Sequence, residues 1–450
     1  MIKRFKKVGW RLVLALLPMA VVGQQADTLR VNLETALQVA LSDNPMIQIA
    51  GQEIKRVDYS KKEAWHGLIP TVSGAGQLSK YAIPAKMSMM GIMMDNPANY
   101  MGSGNITLSL PLIVPALWRS IQLTELQMQM AIEQARASKI TLRNEVVKAY
   151  YQILLAQDSY LTLQEGYGLA KQNFEEAKLR FDLDLAAEYD YISAEVQMQN
   201  LIPTLSQVEN GIAQAKLFLK VLMGLDLTVP VSVEGKLTDF ENRIAGLNSA
   251  QGVSLNNNTD LIQLDIQGQQ LQKQLQLLRT QRMPTLAGFG RYGYSLSATK
   301  DIQINFGGLP MQIEARKDFF TDGLIVGLQL SVPIFSGFTN TLKEKSIGVA
   351  AKTLQLQRGY VEDNLNLQAT AAIDNMTKAV EQMNASKKGI LLAEKGYSIS
   401  QERYNNGMGT MLELRSSSQA LTQAKLAYNQ AIADYLTAKA DYEKVVGISE

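Results

Sequence analysis

The fold is decided by residues 411–446, MLELRSSSQALTQAKLAYNQAIADYLTAKADYEKVV. Small and apolar side chains recur there at alternating intervals of three and four residues: Leu414, Ser417, Leu421, Ala424, Tyr428, Ala431, Tyr435, Ala438, Tyr442 and Val445. A sustained repeat of about 3.5 residues is typical of helices that pack as a coiled coil. The stretch therefore predicts a long helix whose seam faces another helix, with the tyrosines filling that seam.

This stretch has a counterpart earlier in the chain. Subtracting 223 from each seam position gives a second, almost wholly apolar seam: Tyr191, Ala194, Met198, Leu201, Leu205, Val208, Ile212, Ala215, Leu219 and Leu222. Three short segments also recur in the same order: 68–72 with 282–286, 108–111 with 330–333, and 180–182 with 403–405. Ordered matches at offsets of 214, 222 and 223 residues predict a duplicated structural unit.

Each unit contains a shorter helical stretch and a long helical hairpin. The shorter stretches and the long proline-free ones lie, in order, at 33–65, 116–180, 261–281 and 338–403. At about 1.5 Å per residue, a helix of this longer kind extends roughly 100 Å. Pro203 lies in the second helix of the first hairpin, where we expect a kink.

Two strand-like segments lie between the short and the long helices of each unit. Apolar or glycine residues alternate with polar or small ones from Val72 to Ser79, and the second unit shows the same alternation from Leu324 to Val332. A period of two with one apolar face is typical of a β-strand. We therefore predict strand pairs at about 70–111 and about 284–333, each closed by a proline.

Residues 1–23 have the organisation of a secretory signal peptide. Five basic side chains and no acidic one precede an apolar run at 12–22 that is too short to span a bilayer as a helix. Small residues follow, and we predict cleavage after Gly23. Without this segment the formal charge changes from +2 to −3, so the basic excess belongs to the signal peptide.

The predicted organisation has four parts. They are the signal peptide at 1–23, a first repeat at 24–223 with its hairpin at about 116–223, an equatorial linker at 224–258, and a second repeat at 259–450 with its hairpin at about 338–447. The linker contains a short predicted strand at 229–233, where valines recur.

The composition excludes most familiar chemistry. The 450 residues include no Cys and one His, which excludes a disulfide, a Cys-ligated zinc ion and a multi-His metal site. With 44 basic and 42 acidic residues, the chain lacks the charge excess that nucleic-acid binding requires. The pattern at 288–293 matches a dinucleotide-binding motif, but glycines of a strand explain it better. We predict neither an enzyme nor a cofactor.

The strand count has a consequence for assembly. Four strands per chain are too few to close a barrel, and an open sheet edge is not stable in lipid. If these strands enter a membrane, several chains must therefore combine them. The sequence predicts an oligomeric tube with a β end and an α end.

At the tips of its two helical hairpins, the chain resembles the TolC-like outer-membrane efflux proteins. The second tip has the sequence RYNNG at 403–407 and Glu413 six positions after the glycine, as in that family. The first tip begins RFD at 180–182 and keeps the same spacing of residues, but Asp184 stands at the glycine position. Together with the duplication and the strand pairs, the resemblance covers nearly all of the mature chain.

The resemblance implies a mainly α-helical protein with membrane β-strands. Three chains of a homotrimer would form a 12-stranded β-barrel in the outer membrane, on an α-helical barrel that extends through the periplasm. The α-barrel would dock a periplasmic adaptor protein and an inner-membrane pump, which supplies the energy. The implied function is the exit duct of a tripartite efflux system for small molecules.

Two alternatives fit the sequence. A type I secretion outlet, which passes polypeptides, has the same implied architecture, and nothing in the chain separates the two. A periplasmic coiled-coil structural protein without a pore would share the seams, but the paired strands argue against it.

The resemblance also implies functional residues at the tips. Asp190 and Glu413 occupy positions of the acidic residues that ring the periplasmic aperture in the family. Such a ring favours cations, and its members repel one another when the mouth is closed. Other acids that add to this field, or only solvate the turn, are Asp182, Asp184 and Glu188. The tip residues expected to dock the adaptor are Arg180, Arg403, Gly407 and Gly409.

A methionine-rich segment joins the first strand pair. Its methionines are Met87, Met89, Met90, Met93, Met94 and Met101. Thioethers are soft ligands that suit Cu(I). Because no Cys or His accompanies them, we favour an adaptable extracellular loop over a metal site.

Overall fold

The computed structural model describes residues 29–83, 86–89, 92–95, 98–244, 253–299, 301–306, 309–315 and 317–448. The predicted signal peptide at 1–23 lies outside the described residues. The first half contains β1 (Leu29–Val31), α1 (Leu33–Asp43), α2 (Pro45–His66), β2 (Thr71–Lys80), β3 (Lys86–Met89), β4 (Ile92–Asp95), β5 (Ala98–Ile113), α3 (Pro115–Asp182) and α4 (Glu188–Met223). The second contains β6 (Val231–Val233), a 3-10 helix (Leu237–Arg243), α5 (Thr259–Thr280), β7 (Thr285–Thr299), β8 (Ile302–Phe306), β9 (Leu309–Ile313), β10 (Lys317–Ser331), α6 (Thr339–Asn405) and α7 (Met411–Val446).

Two very long helical hairpins dominate the fold. α3 and α4 form the first and α6 and α7 form the second. The side chains of the seams predicted from the sequence are buried, as at Ala194 and Tyr435, or half-buried, as at Leu201 and Ala424. Burial of a large apolar side chain stabilises the folded chain by about 1.5–3 kcal/mol, so these seams account for much of the stability. α4 continues as one helix through Pro203, so the proline does not end it.

The four long helices lie in the order α4, α3, α7, α6. α3 packs against both α4 and α7, while α6 packs against α7 and the shorter α5. One side of α4 and one side of α6 therefore stand at the two ends of the row. Exposed apolar side chains on these two helices include Tyr189, Ile192, Val196, Leu342, Val349 and Leu356.

The four long strands form a single antiparallel sheet in the order β10-β7-β5-β2. The two predicted strand pairs are thus joined through β5 and β7. β2 and β10 are the edges of this sheet and have no further strand partner among the described residues. Where the sequence indicated only a loop within the first pair, the structure has a small hairpin, β3–β4, and the second pair contains another, β8–β9.

The register gives the sheet one apolar and one polar face. A row across the sheet joins Val72, Leu108, Gly290 and Val326, and the two edge valines of this row are 70% and 75% exposed. The opposite face is rich in Ser, Thr, Asn and Gln. A broad exposed apolar surface of this kind marks a contact with lipid or with another protein. None of the described helices contains an apolar stretch that could span a bilayer.

The linker between the repeats is fastened to the long helices. Its strand β6 pairs in parallel with β1, and the hydroxyl of Tyr150 on α3 donates a 2.5 Å hydrogen bond to the carbonyl oxygen of Glu234. The backbone N–H of Leu237 donates to a carboxylate oxygen of Asp158 on α3. Lys387 on α6 forms a 2.5 Å ion pair with Glu241. The linker therefore connects the first hairpin to the second.

Two buried asparagines each join the start of a short helix to the end of a long one by hydrogen bonds, a contact that we call a splice. Asn44 caps α2 by accepting a 2.7 Å hydrogen bond from the N–H of Met46, and its amide nitrogen donates at 2.7 Å to the carbonyl oxygen of Leu222 at the end of α4. Asn258 caps α5 in the same way and donates at 2.7 Å to the carbonyl oxygen of Val445 on α7. One side chain thus satisfies unpaired groups of two helix ends, which makes each stacked pair nearly continuous.

We expect Asn44→Ala to lower the free energy of unfolding more than Asn32→Ala does. Both variants lose an N-cap, worth about 1 kcal/mol. Asn32 caps α1 through the N–H of Thr35, but among the residues that the structure describes it makes no bond to a distant helix end. Asn44→Ala also leaves a buried carbonyl unpaired, at a further cost of about 1–3 kcal/mol. Denaturation followed by circular dichroism in detergent compares the two, and equal losses would contradict the splice.

Candidate functional site at the hairpin tips

The two hairpin tips have the same backbone geometry. The N–H of Leu185 bonds to the carbonyl oxygen of Arg180 at 2.8 Å, and the N–H of Met408 bonds to that of Arg403, also at 2.8 Å. This bond closes a helix end through one residue in the left-handed region. That residue is Gly407 in the second tip, with φ of 72°, and Asp184 in the first, with φ of 55°. The common spacing of residues in the two tip sequences therefore corresponds to one shared type of turn.

The two candidate gating acids occupy equivalent positions in the first turn of the returning helices. Asp190 is the third residue of α4 and Glu413 is the third residue of α7. A helix N-terminus carries partial positive charge, so both positions favour a carboxylate. The caps differ: the Thr410 hydroxyl accepts a hydrogen bond from the N–H of Glu413, whereas Ala187 has no side chain that can cap α4.

The acids of the two tips differ in their ion pairing. Glu413 lies 3.6 Å from a guanidinium nitrogen of Arg403, which offsets part of its charge. Among the residues that the structure describes, Asp190 has no ion pair and is half-buried. The remaining acids of the first tip are exposed and are likewise unpaired within the described chain: Asp182, Asp184 and Glu188. The negative field is therefore concentrated on the first tip.

Arg180 joins the first tip to the second. Its guanidinium pairs with Glu176 at 2.7 Å, donates at 2.7 Å to the carbonyl oxygen of Asn405, and lies 4.7 Å from the ring centroid of Tyr404. Only 20% of the Arg180 side chain is exposed, so these contacts are partly shielded from water. The resemblance implies adaptor docking for Arg180, and its contacts here also hold the two hairpins together.

Tyr404 is the buried centre of the tip region. It is 5% exposed and belongs to an apolar cluster that contains Ala177, Ala194 and Leu414 from both hairpins. Burial raises the pKa of Tyr404, while the nearby Arg180 opposes that shift. Its hydroxyl has no hydrogen-bond partner in the described part of the chain. The tip thus contains a buried hydroxyl whose hydrogen-bonding capacity the described residues leave unused.

Two further contacts shape the tips, one between distant residues and one within the second turn. Arg415 donates at 3.1 Å to the hydroxyl of Ser193, which links α7 to α4. A Cβ at Gly409 would lie 3.1 Å from the backbone nitrogen of Tyr404, which is a tight contact, so the turn favours a residue without a side chain there. Sequence reasoning missed the Arg415–Ser193 link, because neither residue belongs to the repeated tip motif.

The described residues contain no group of three or more His, Cys, Asp or Glu side chains that could hold a metal ion. In the methionine-rich segment the structure gives the strands β3 and β4, with Met87 opposite Met94. Met90 lies outside the described residues.

A duplicated helical hairpin joined to a sheet with one apolar face is the architecture of a membrane-anchored channel subunit. The model of the family described as outer membrane efflux protein matches residues 36–225 and 252–447, one match for each repeat. The chain therefore belongs to the outer membrane efflux protein family, and its members are channels and not enzymes.

Individual relatives agree with this assignment. The chain is 20% identical over 350 residues to the outer membrane protein TolC of Vibrio cholerae. The matched region covers 77% of this chain and 76% of that protein. It is 24% identical over 444 residues to the antibiotic efflux pump outer membrane protein ArpC of Pseudomonas putida, at coverages of 92% and 82%. The fold matches the CmeC outer membrane channel of Campylobacter jejuni with a TM-score of 0.72 at 15% identity, over 92% of this chain and 85% of that one.

We expect Asp184→Gly to stabilise the first tip by about 0.5–1 kcal/mol. Glycine removes the left-handed strain at φ of 55°, which exceeds the entropy it adds to the unfolded chain. Asp182→Gly is the control, because Asp182 ends helix α3 and glycine gains nothing in a helical conformation. Chemical denaturation measures both variants. An unchanged or lower stability for Asp184→Gly would contradict the strain.

We expect Arg180→Ala to accelerate hydrogen exchange of the first-tip amides, residues 181–190, by about tenfold or more. The variant loses a charge-assisted hydrogen bond worth about 1.5–3 kcal/mol and a cation–π contact worth about 0.5–1 kcal/mol. Arg403→Ala breaks contacts within the second tip only and should leave these amides unchanged. Mass spectrometry of the detergent-solubilised protein measures the exchange, and unchanged protection in Arg180→Ala would exclude the bridging role.

Proposed function

We propose that three copies of this chain form the outer-membrane exit duct of a tripartite efflux system for small molecules. The duct works with a periplasmic adaptor protein and an inner-membrane pump, which supplies the energy. The observation that carries the proposal is the pair of open edges at opposite ends of both the sheet and the row of long helices.

The sheet edges support a closed ring of strands. β2 and β10 lie at opposite edges of the four-stranded sheet, so pairing β2 of one copy with β10 of the next satisfies the edges of both. Such a head-to-tail contact generates a ring when the rotation closes. Three copies then give 12 strands with no unpaired edge, which is a condition for stability in lipid.

The long helices support the same arrangement. The outer sides of α4 and α6 expose apolar side chains, and Leu342, Val349 and Leu356 on α6 follow one another at intervals of seven residues. That interval is the repeat of a coiled-coil seam that lacks its partner. Packing α6 of one copy against α4 of the next covers both sides and closes a helical barrel of 12 long helices.

The surface of the hairpin tips supports their assignment to the periplasmic end of the duct. Around the acids, the tip surface exposes apolar side chains: Leu183, Leu185, Tyr189, Met408 and Leu412. An apolar patch with a polar rim is typical of a protein interface, and we assign it to the adaptor. Arg403, Gly407 and Gly409 shape the second half of this patch. Asp190 and Glu413 from three copies then form the acidic ring at the aperture.

The substrate class rests on a relative. ArpC of Pseudomonas putida, with 24% identity over 92% of this chain, is named as part of an antibiotic efflux pump. This favours small molecules over polypeptides as the exported class. Efflux of antibiotics by cells that carry or lack the chain, compared with secretion of polypeptides by the same cells, tests that choice.

We expect Asp190→Ala combined with Glu413→Ala to weaken block by multivalent cations in planar bilayers. Six carboxylates in a narrow mouth attract such cations, so their removal should raise the half-blocking concentration by about tenfold or more. Single-channel recording with hexamminecobalt as the probe measures this effect.

The control for that experiment removes two acids of α2, as Glu53→Ala with Asp58→Ala, far from the tips along the chain. It should leave the block unchanged. Unaltered block in the tip variant would exclude the acidic ring. A wild-type protein that is soluble without detergent, forms no heat-sensitive oligomer and shows no conductance would exclude the duct itself.

A further inference from the structure

Arg291 is a lone charge in the middle of the polar face of the sheet. The register joins Ser73, Thr107, Arg291 and Ile325 in one row across the four strands. The rows on either side contribute Asn105 with Gly293 and Ser109 with Phe289 on the same face. Arg291 is exposed on this face, where the neighbouring side chains are uncharged and Gly293 beside it has no side chain.

Within the described part of the chain, the arginine has no partner that explains its presence. It makes no hydrogen bond or ion pair with any residue that the structure describes. The other charged residues on the four long strands lie nearer their far ends: Lys80, Lys317, Asp318 and Asp322. Asp322 is at the bulge of β10, between the residues that pair with Tyr294 and Gly293.

The opposite face fixes where Arg291 points in the assembled protein. Its neighbour Tyr292 lies in a row with Ile106 and Leu324, and these three side chains are about half exposed or more. In a closed ring of strands the apolar face contacts lipid and the polar face lines the interior. Because side chains alternate along a strand, Arg291 faces the interior when Tyr292 faces lipid.

We propose that three copies of Arg291 form a cationic ring inside the strand end of the duct, which admits anionic solutes in preference to cations. This inference rests on the proposed trimer.

Simple geometry indicates that the charges of the ring lie close enough to the pore axis to act on a passing ion. Twelve strands spaced about 4.8 Å apart and tilted about 40° give a radius of about 12 Å. Each extended arginine side chain carries its charge well inside that radius. The charge therefore lies within about one Debye length, about 8 Å at physiological ionic strength, of the axis. Rings of Arg or Lys are the usual device of pores that favour anions.

The ring and the tips give the duct charges of opposite sign at its two ends. The acids of the first tip attract cations at the periplasmic end, whereas Arg291 opposes them at the outer end. A solute that carries both a positive and a negative charge, or an anion with an apolar body, is attracted electrostatically at one end of the duct or at both. Its size alone excludes it from neither end. The inference predicts that the outer end reduces the cation preference that the tips create.

The absence of cysteine from the chain allows a direct test. Arg291→Cys introduces a single thiol, and the reversal potential in a KCl gradient across a planar bilayer gives the ratio of potassium to chloride permeability. We expect this ratio to rise by about twofold or more in Arg291→Cys. A positively charged methanethiosulfonate should then restore the wild-type value, and a negatively charged one should raise the ratio further.

Matched variants separate the possible outcomes. Tyr292→Cys should not respond to the water-soluble reagents, because its side chain faces lipid, and Arg291→Lys should behave as the wild type. A conducting Arg291→Cys channel with unchanged selectivity that ignores both reagents overturns the ring and leaves the duct intact. A wild-type protein without conductance overturns both.

Discussion

The two unpaired edges of the sheet are the constraint on which the rest of the structure depends. β2 and β10 present backbone N–H and C=O groups beside a broad apolar face, and in lipid each unsatisfied group costs several kcal/mol. A single chain is therefore incomplete in a membrane. The long helices repeat the same asymmetry, with one uncovered side at α4 and another at α6. Units with two different open sides close into rings, which is why sheet and helices favour the same assembly.

The helix ends joined by Asn44 and Asn258 connect the sheet to the long hairpins. α4 meets α2 through Asn44, and α7 meets α5 through Asn258, so β2 and β7 each adjoin a nearly continuous column of two helices. The second joint is reinforced, because Arg136 also donates to the carbonyl oxygen of Asn257.

The duplication explains the scaffold, and the differences between the repeats explain the site. Both tips use one backbone turn, but Asp184 replaces the glycine found at Gly407, and Ala187 replaces the cap formed by Thr410. The first tip is therefore the more acidic and the more strained of the two. Arg180 compensates by bonding to the second tip, so the weaker turn is held by the stronger one.

Periodic and repeated features were readable from the sequence alone. The three-four seam, the two strand pairs and the equivalence of Asp190 with Glu413 follow from spacings along the chain, because a helix or strand converts spacing directly into a shared face. The tertiary structure decided what spacing does not contain. The pairing of β5 with β7, the link from Arg180 to Asn405 and the splice from Asn44 to Leu222 join residues more than 170 positions apart. No local pattern encodes such contacts, since they form only when elements far apart in the chain pack against one another.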